Sequence, residues 1–238
     1  MLRMKVIIIG AGPTGLTAGI ELARRGVEVD IFDKRDAAST LSRAVGINPH
    51  SLKILEASGV TKKLLARGIR YDTAHFHQGS KPWVNISFKK AKPVKYGYSY
   101  MLGLPQDETE TILTETFVGL KGRIHYGHEL TNIHQTESLV QAMMTNGHSL
   151  TADYLIGADG VHSKTRELVQ IQVFENKLDE AWSIADTETK DLKLPNAVAL
   201  YLMKYGTMVF VAPIGKKRFR LVSNTPSASE SLPIDIKV

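Results

Sequence analysis

The chain has 238 residues, 43% hydrophobic and 23% charged, a composition typical of a soluble globular protein. The apolar run from Val6 to Ile9 is too short for a membrane span or a signal sequence, so no integral membrane segment is expected. The sequence has no cysteine, which excludes disulfides and thiolate metal sites and fits a cytoplasmic location. The net charge of +6 is concentrated in residues 1–100, and no nucleic-acid-binding motif accompanies it, so an anionic cofactor is favoured over nucleic acid.

The first 33 residues predict a complete β-α-β unit. Lys5 to Ile9 is short, continuous and rich in β-branched residues, as in a buried strand. A helix is predicted from Leu16 to Arg25, with Gly26 at its C-terminal end, and a second strand from Val27 to Asp33. Because a helix connects them, the two strands should be parallel neighbours.

A glycine-rich turn joins the first strand to the helix and predicts a dinucleotide site. Gly10 permits the tight turn, Gly12 lets the backbone approach a pyrophosphate, and Gly15 lets the helix pack closely on the sheet. The helix N-terminus offers amide donors to the phosphates. Asp33 ends the second strand, where its carboxylate can accept hydrogen bonds from ribose hydroxyls. The predicted binding residues of this turn are Gly10, Gly12, Pro13, Thr14 and Gly15.

The fingerprint alone does not separate FAD from NAD(P). Lys34 and Arg35 follow Asp33 directly and could bind a 2′-phosphate, which keeps NADP open as the cofactor. A solvated charged turn is the simpler interpretation of the same two residues.

The remaining elements indicate a mixed α/β chain. Helices are predicted at about 49–58, 61–66, 105–117 and 163–169. Antiparallel strands are predicted within 71–100, where apolar and polar residues alternate, and further strands at about 123–126, 129–135, 139–145, 150–156 and 197–223. Asn146-Gly147 is a hairpin turn signal between two of them.

Three further motifs point to a family. Ser42-Arg43-Ala44 follows the second strand, Leu104-Pro105-Gln106 opens a helix, and a later strand runs into Gly157-Ala158-Asp159-Gly160. With the glycine-rich turn, this series resembles the FAD-dependent aromatic-ring hydroxylases, the para-hydroxybenzoate hydroxylase-like flavoprotein monooxygenases. The resemblance extends from about residue 4 to about residue 170.

The resemblance implies an α/β fold in which a Rossmann-like FAD/NAD(P)-binding domain with a parallel sheet carries an inserted, mostly antiparallel substrate region. The expected bounds are 1–70 and 101–170 for the first, and 71–100 and 171–238 for the second. It implies that NAD(P)H reduces FAD, that O2 then gives a flavin C4a-hydroperoxide, and that an aromatic or other electron-rich small molecule is hydroxylated. Neither a metal nor a protein nucleophile is implied, and no catalytic residue is assigned.

The resemblance also implies roles for single residues. Arg43 would place a guanidinium near the flavin and its phosphates, and Gln106 would hydrogen-bond beside the ribityl chain. Asp159 and Gly160 would close the pyrophosphate side, the aspartate bonding to backbone and water. Leu130 is expected beside the adenine. The full predicted cofactor set is Gly10, Gly12, Pro13, Thr14, Gly15, Asp33, Lys34, Arg43, Gln106, Leu130, Asp159 and Gly160.

One family motif is missing. Members carry a later Gly-Asp pair whose aspartate binds the ribityl hydroxyls, and none of the 19 glycines here is followed by Asp. The expectation is therefore a shortened chain whose nucleotide-binding sheet lacks a strand and which could form a homo-oligomer over the open edge. Two alternatives stay open: another FAD/NAD(P) oxidoreductase, and a non-catalytic binding or assembly protein.

Overall fold

A computed structural model describes residues 4–39, 44–90, 97–145, 147–174, 181–190 and 193–225. The α-helices are α1 (Pro13–Ala23), α2 (Pro49–Ile54), α3 (Val60–Arg67), α4 (Gln106–Gly119) and α5 (Lys164–Leu168). The strands are β1 (Lys5–Ile9), β2 (Glu28–Phe32), β3 (Gly46–Ile47), β4 (Ile69–Tyr71), β5 (Thr73–Gln78), β6 (Lys81–Ser87), β7 (Met101–Gly103), β8 (Arg123–His125), β9 (Leu130–Gln135), β10 (Val140–Met144), β11 (Ser149–Ala152), β12 (Tyr154–Gly157), β13 (Ala181–Glu188), β14 (Ala197–Leu202), β15 (Met208–Pro213) and β16 (Arg218–Thr225). Across the described residues, no helix has both the length and the apolar character needed to cross a membrane.

The chain divides into two compact units. Unit 1 contains residues 1–42, 54–66 and 105–174, and unit 2 contains residues 43–53, 67–104 and 175–238. Residues 171–174, predicted in the substrate region, cluster with unit 1. Residues 43–53, 67–70 and 101–104, predicted in the nucleotide-binding domain, cluster with unit 2. The reason is that β3 and β4 both pair with β7 and form a small antiparallel sheet there.

Unit 1 is built on a parallel sheet with the strand order β12-β1-β2-β8. One face of this sheet packs against the antiparallel sheet β11-β10-β9. Side chains from alternate positions of β1 meet β2 and the antiparallel strands in a shared core, because successive residues of a strand point to opposite faces. The buried members of this core are Ile7, Ile9, Phe32, Leu130, Val140, Ala142, Met144 and Ala152.

Helices α1 and α4 cover the other face of the parallel sheet. Leu16 and Ile20 of α1 are fully buried, as are Ile112 and Phe117 of α4. Gly19 sits where the helices approach each other, because a Cβ there would lie 2.9 Å from the Phe117 ring. The helix layer therefore holds the N-terminus of α1 firmly at the carboxyl end of β1.

Unit 2 carries a six-stranded sheet with the order β13-β16-β15-β14-β5-β6. All of its neighbours are antiparallel except β5 and β14, which are parallel. One buried cluster of this sheet contains Ala199 of β14, Val211 of β15 and Phe219 of β16. The α/β class with a parallel sheet and a mostly antiparallel second sheet is confirmed.

Three local expectations differ from the structure. Helix α1 begins at Pro13 rather than Leu16, since proline fits the first helical position, where no N–H is required. The predicted strand over 150–156 is two strands, because the chain turns at Asp153 from the antiparallel into the parallel sheet. Strand β13 was not predicted, and all of its residues are exposed, so burial leaves no periodicity in its sequence. Residues 91–96 and Asn146, which belonged to predicted strands and a turn, lie outside the described residues.

Candidate cofactor site

The turn between β1 and α1 has a backbone path that only glycine permits at two positions. Gly10 has φ +107°, and a Cβ there would lie 2.3 Å from the carbonyl oxygen of Ala158. A Cβ on Gly15 would lie 1.9 Å from the carbonyl oxygen of Gly10. These two glycines are therefore explained by the fold itself, since their contacts are with protein backbone.

Gly12 has no such explanation within the protein. Its φ of −81° suits any residue, and no heavy atom lies within 4 Å of the position its Cβ would take. It is the N-cap of α1, yet it supplies no side-chain capping bond, and Pro13 follows it at the first helical position. Thr14 in the first turn is exposed. Open space above a helix N-terminus is what close approach of a pyrophosphate requires, so this turn fits the phosphates of a dinucleotide.

A second turn, Ala158 to Gly160, lies beside the first. The Ala158 N–H donates to the carbonyl of Ile9 at 2.7 Å, because β1 and β12 are parallel neighbours and end at the same edge. Gly160 has φ +84°, a conformation that favours glycine, and it is exposed. Two backbone turns thus meet at the carboxyl edge of the parallel sheet, the usual place for a ligand in such folds.

Asp159 fixes the second turn through protein donors. Its Oδ1 accepts the Ser163 hydroxyl at 2.6 Å, and its Oδ2 accepts the N–H and hydroxyl of Thr165 at 2.9 and 3.1 Å. Partial burial by itself would raise the pKa of Asp159, but these hydrogen bonds outweigh it and lower the pKa. The carboxylate is therefore charged at neutral pH and holds the start of α5.

Asp33, at the end of β2, is the buried acid of the site. Its Oδ2 accepts the N–H of Ala11 at 2.7 Å, which ties the end of β2 to the glycine-rich turn. Arg35 donates to both carboxylate oxygens, from Nε at 3.0 Å and from Nη2 at 2.9 Å. Burial pushes the pKa of Asp33 upward, yet the hydrogen bonds from Arg35 and Ala11 prevail and lower it. A charged, oriented carboxylate thus lies next to the turn.

The structure places the other predicted residues as follows. Gln106, in the first turn of α4, donates its amide to Glu110 at 2.8 Å and is half-buried. Leu130 is 2% exposed and belongs to the core of unit 1, so its predicted contact with adenine could use only its backbone. Lys34 is exposed beside Asp33. Arg43 lies outside the described residues.

Two groups that bind the Asp33 carboxylate were not predicted from the sequence. The N–H of Ala11 reaches Asp33 because the turn folds back over the end of β2, which no residue type signals. The sequence favours a solvated charged turn for Arg35 and leaves a 2′-phosphate role open, whereas in the structure its guanidinium pairs with Asp33. The available signal for the Asp33–Arg35 pair was the position of Arg35, two residues after the acid that ends β2.

The fold and the site together define a dinucleotide-binding α/β protein with an inserted antiparallel sheet. A model of the family FAD_binding_3, described as "FAD binding domain", matches residues 3–231. The chain belongs to this family, and FAD is its cofactor. The predicted resemblance is thereby confirmed at the level of the family.

Two similar proteins with curated names are monooxygenases. The chain is 33% identical over 221 residues to the rifampicin monooxygenase of Rhodococcus hoagii, covering 91% of this chain and 44% of that protein. It is 34% identical over 187 residues to the 6-methylpretetramide 4-monooxygenase of Streptomyces rimosus, covering 76% of this chain and 33% of that protein. The chain therefore spans less than half the length of these relatives.

A solved structure shares the fold. The p-nitrophenol 4-monooxygenase PnpA from Pseudomonas putida superposes with a TM-score of 0.84 at 20% identity, over 96% of this chain and 59% of that one. The likeness covers nearly the whole chain, so it supports the fold described above.

Proposed function

We propose that this chain is the FAD-binding part of an NAD(P)H-driven monooxygenase that hydroxylates an aromatic or other electron-rich small molecule. The observation that carries the proposal is the open space at Gly12, beside the buried carboxylate of Asp33 and the turn at Gly160. The names of the relatives support the reaction class, since one is a rifampicin monooxygenase and the other a 6-methylpretetramide 4-monooxygenase.

Each part of the site has a distinct task in this proposal. Gly12 and the N-terminus of α1 hold the pyrophosphate through backbone N–H groups. Asp33 accepts the ribose hydroxyls, and Asp159 keeps the turn at Gly160 in place by bonding to Ser163 and α5. When bound, FAD supplies the electron transfer from NAD(P)H and the activation of O2, so the protein's part is to bind and orient it.

The test combines binding with turnover. The purified chain is titrated with FAD while flavin fluorescence and thermal unfolding are followed, and bound FAD is expected to raise the melting temperature. NADH and NADPH oxidation and O2 uptake are then measured with a panel of phenols and polycyclic phenols, with product analysis for a hydroxylated ring. FAD binding with NAD(P)H oxidation but no hydroxylation of any aromatic would indicate a reductase instead. The absence of FAD binding would contradict the proposal as a whole.

Self-association is a second, smaller proposal about the sheet edge. In the described part of the chain, β12 is the outer strand of the parallel sheet, and Tyr154 on it is 60% exposed. A groove of about 1040 Å³ runs beside it, lined in part by Ile133, Leu139 and Tyr154. We expect a second copy to cover this edge, because β12 pairs with β1 on one side only and the outer side of an edge strand offers hydrogen-bonding groups. Sedimentation velocity over a hundred-fold concentration range should show a dimer that Tyr154→Lys weakens, and a monomer throughout would contradict it.

The cytoplasmic location stays a prediction.

A further inference from the structure

The carboxylate of Asp33 has a protein donor in each of its acceptor directions. Oδ1 accepts the backbone N–H and the Nε–H of Arg35, at 2.9 and 3.0 Å. Oδ2 accepts the backbone N–H of Ala11 at 2.7 Å and the Nη2–H of Arg35 at 2.9 Å. A carboxylate offers about four lone-pair sites in total. A further donor can therefore bind Asp33 only by replacing one of these four.

The four donors differ in how easily they can be replaced. The two backbone N–H groups are fixed by the end of β2 and by the turn at Gly10, whereas the Arg35 side chain is 34% exposed and can rotate. The adenosine ribose of FAD presents a pair of hydroxyl donors on adjacent carbons. Such a diol can replace Nε and Nη2 of Arg35 one for one, which keeps the buried carboxylate fully hydrogen-bonded.

A second buried carboxylate lies within reach of the Arg35 guanidinium. The side chain of Glu110 is 4% exposed, and its Oε1 accepts the amide of Gln106 at 2.8 Å. Its Oε2 lies 3.8 Å from Nη1 of Arg35, an ion-pair distance longer than a hydrogen bond. A movement of about 1 Å toward Glu110 would make that contact a direct charge-assisted bond. Arg35 can therefore leave Asp33 without losing its charge partner.

We propose that Arg35 competes with the adenosine ribose for Asp33 and shifts to Glu110 when the ribose binds. This inference rests on the FAD site proposed above. Its consequence is that Arg35 lowers the affinity of the chain for the adenosine end of FAD. Simple charge attraction predicts the opposite sign, because a cation beside a diphosphate should raise affinity. Whether removal of the Arg35 side chain raises or lowers the affinity for FAD therefore distinguishes competition from charge attraction.

The first experiment compares Arg35→Met with Lys34→Met. Both remove one positive charge at the end of β2, but only Arg35→Met removes the donors to Asp33. Flavin-free chains are titrated calorimetrically with FAD, ADP and 2′,3′-dideoxy-ADP, and thermal unfolding verifies that each variant is folded. Arg35→Met should bind FAD and ADP at least about five-fold more tightly than the parent chain, whereas Lys34→Met should show no gain over the parent. The dideoxy compound has no diol, so its binding should not improve.

The second experiment removes the other acceptor. Glu110→Gln should weaken FAD binding several-fold when Arg35 is present and have no such effect in the Arg35→Met background. The competition would be overturned if Arg35→Met bound ADP no more tightly than the parent chain. It would also be overturned if the gain for the dideoxy compound equalled the gain for ADP. If the parent chain and all folded variants fail to bind both FAD and ADP, the proposed FAD site is wrong and the competition is rejected with it.

Discussion

Gly12→Val should lower the affinity for FAD by at least about 100-fold while leaving the fold intact. A Cβ at Gly12 has no protein atom within 4 Å apart from its chain neighbours, and the backbone there suits any residue, so valine is expected to fit the fold. Its methyl groups would instead occupy the volume that the pyrophosphate needs above the N-terminus of α1. FAD titration and urea unfolding, performed on the same preparations, measure the two effects separately.

Two further variants sharpen this prediction. Gly119→Val is the matched control, since Gly119 also has open space at its Cβ position and lies at the far end of α4; its FAD affinity should stay within two-fold of the parent. Gly15→Ala should do the reverse of Gly12→Val and destabilise the chain by about 3 kcal/mol or more, because its Cβ meets the Gly10 carbonyl. Normal FAD binding by Gly12→Val would remove this turn from the cofactor site.

The β-α-β unit could be predicted because its signals are local. A buried strand, a glycine turn and an amphipathic helix each leave a short pattern, and Gly10, Gly15 and Asp33 stand at positions where the backbone or the ligand dictates the residue. Unit 1 places these residues at one edge of its sheet, as the parallel arrangement of β1 and β2 requires. The family was identified from the order of the motifs along the chain, because residue periodicity alone carries no information about the family.

The parts that could not be predicted depend on long-range pairing. The break at Asp153 depends on a partner 148 positions away, since Lys5 donates its N–H to the Asp153 carboxylate. Apolar residues occur on both sides of Asp153, so the sequence does not mark the break. The engagement of Asp33 by Arg35 depends on which way one side chain turns at the end of a strand. Strand β13 pairs with β16 across 30 or more residues and buries none of its own side chains.

Asp186→Ala should destabilise unit 2 by about 3–5 kcal/mol, since it would leave a buried cation without its partner. Arg220 has a side chain that is only 2% exposed, and it donates from Nε and Nη2 to the two carboxylate oxygens of Asp186 at 2.8 and 2.9 Å. Its remaining described bond, to the carbonyl of Ala44, is to a neutral group. Both tryptophans, Trp83 and Trp182, lie in unit 2, so their fluorescence during urea unfolding reports on this unit directly.

The matched control for that experiment is Arg218→Ala. Arg218 also pairs with Asp186, at 3.7 Å, but its side chain is 49% exposed, and an exposed pair contributes between 0 and about 1 kcal/mol. The tryptophan transition of Arg218→Ala should therefore stay close to that of the parent, while that of Asp186→Ala moves to much lower urea. Equal small shifts in the two variants would mean that water reaches Arg220 and replaces the carboxylate. A large shift in Asp186→Ala alone would instead show that the Arg220–Asp186 ion pair stabilises the pairing of β13 with β16. Asp186 lies on β13 and Arg220 lies opposite it on β16.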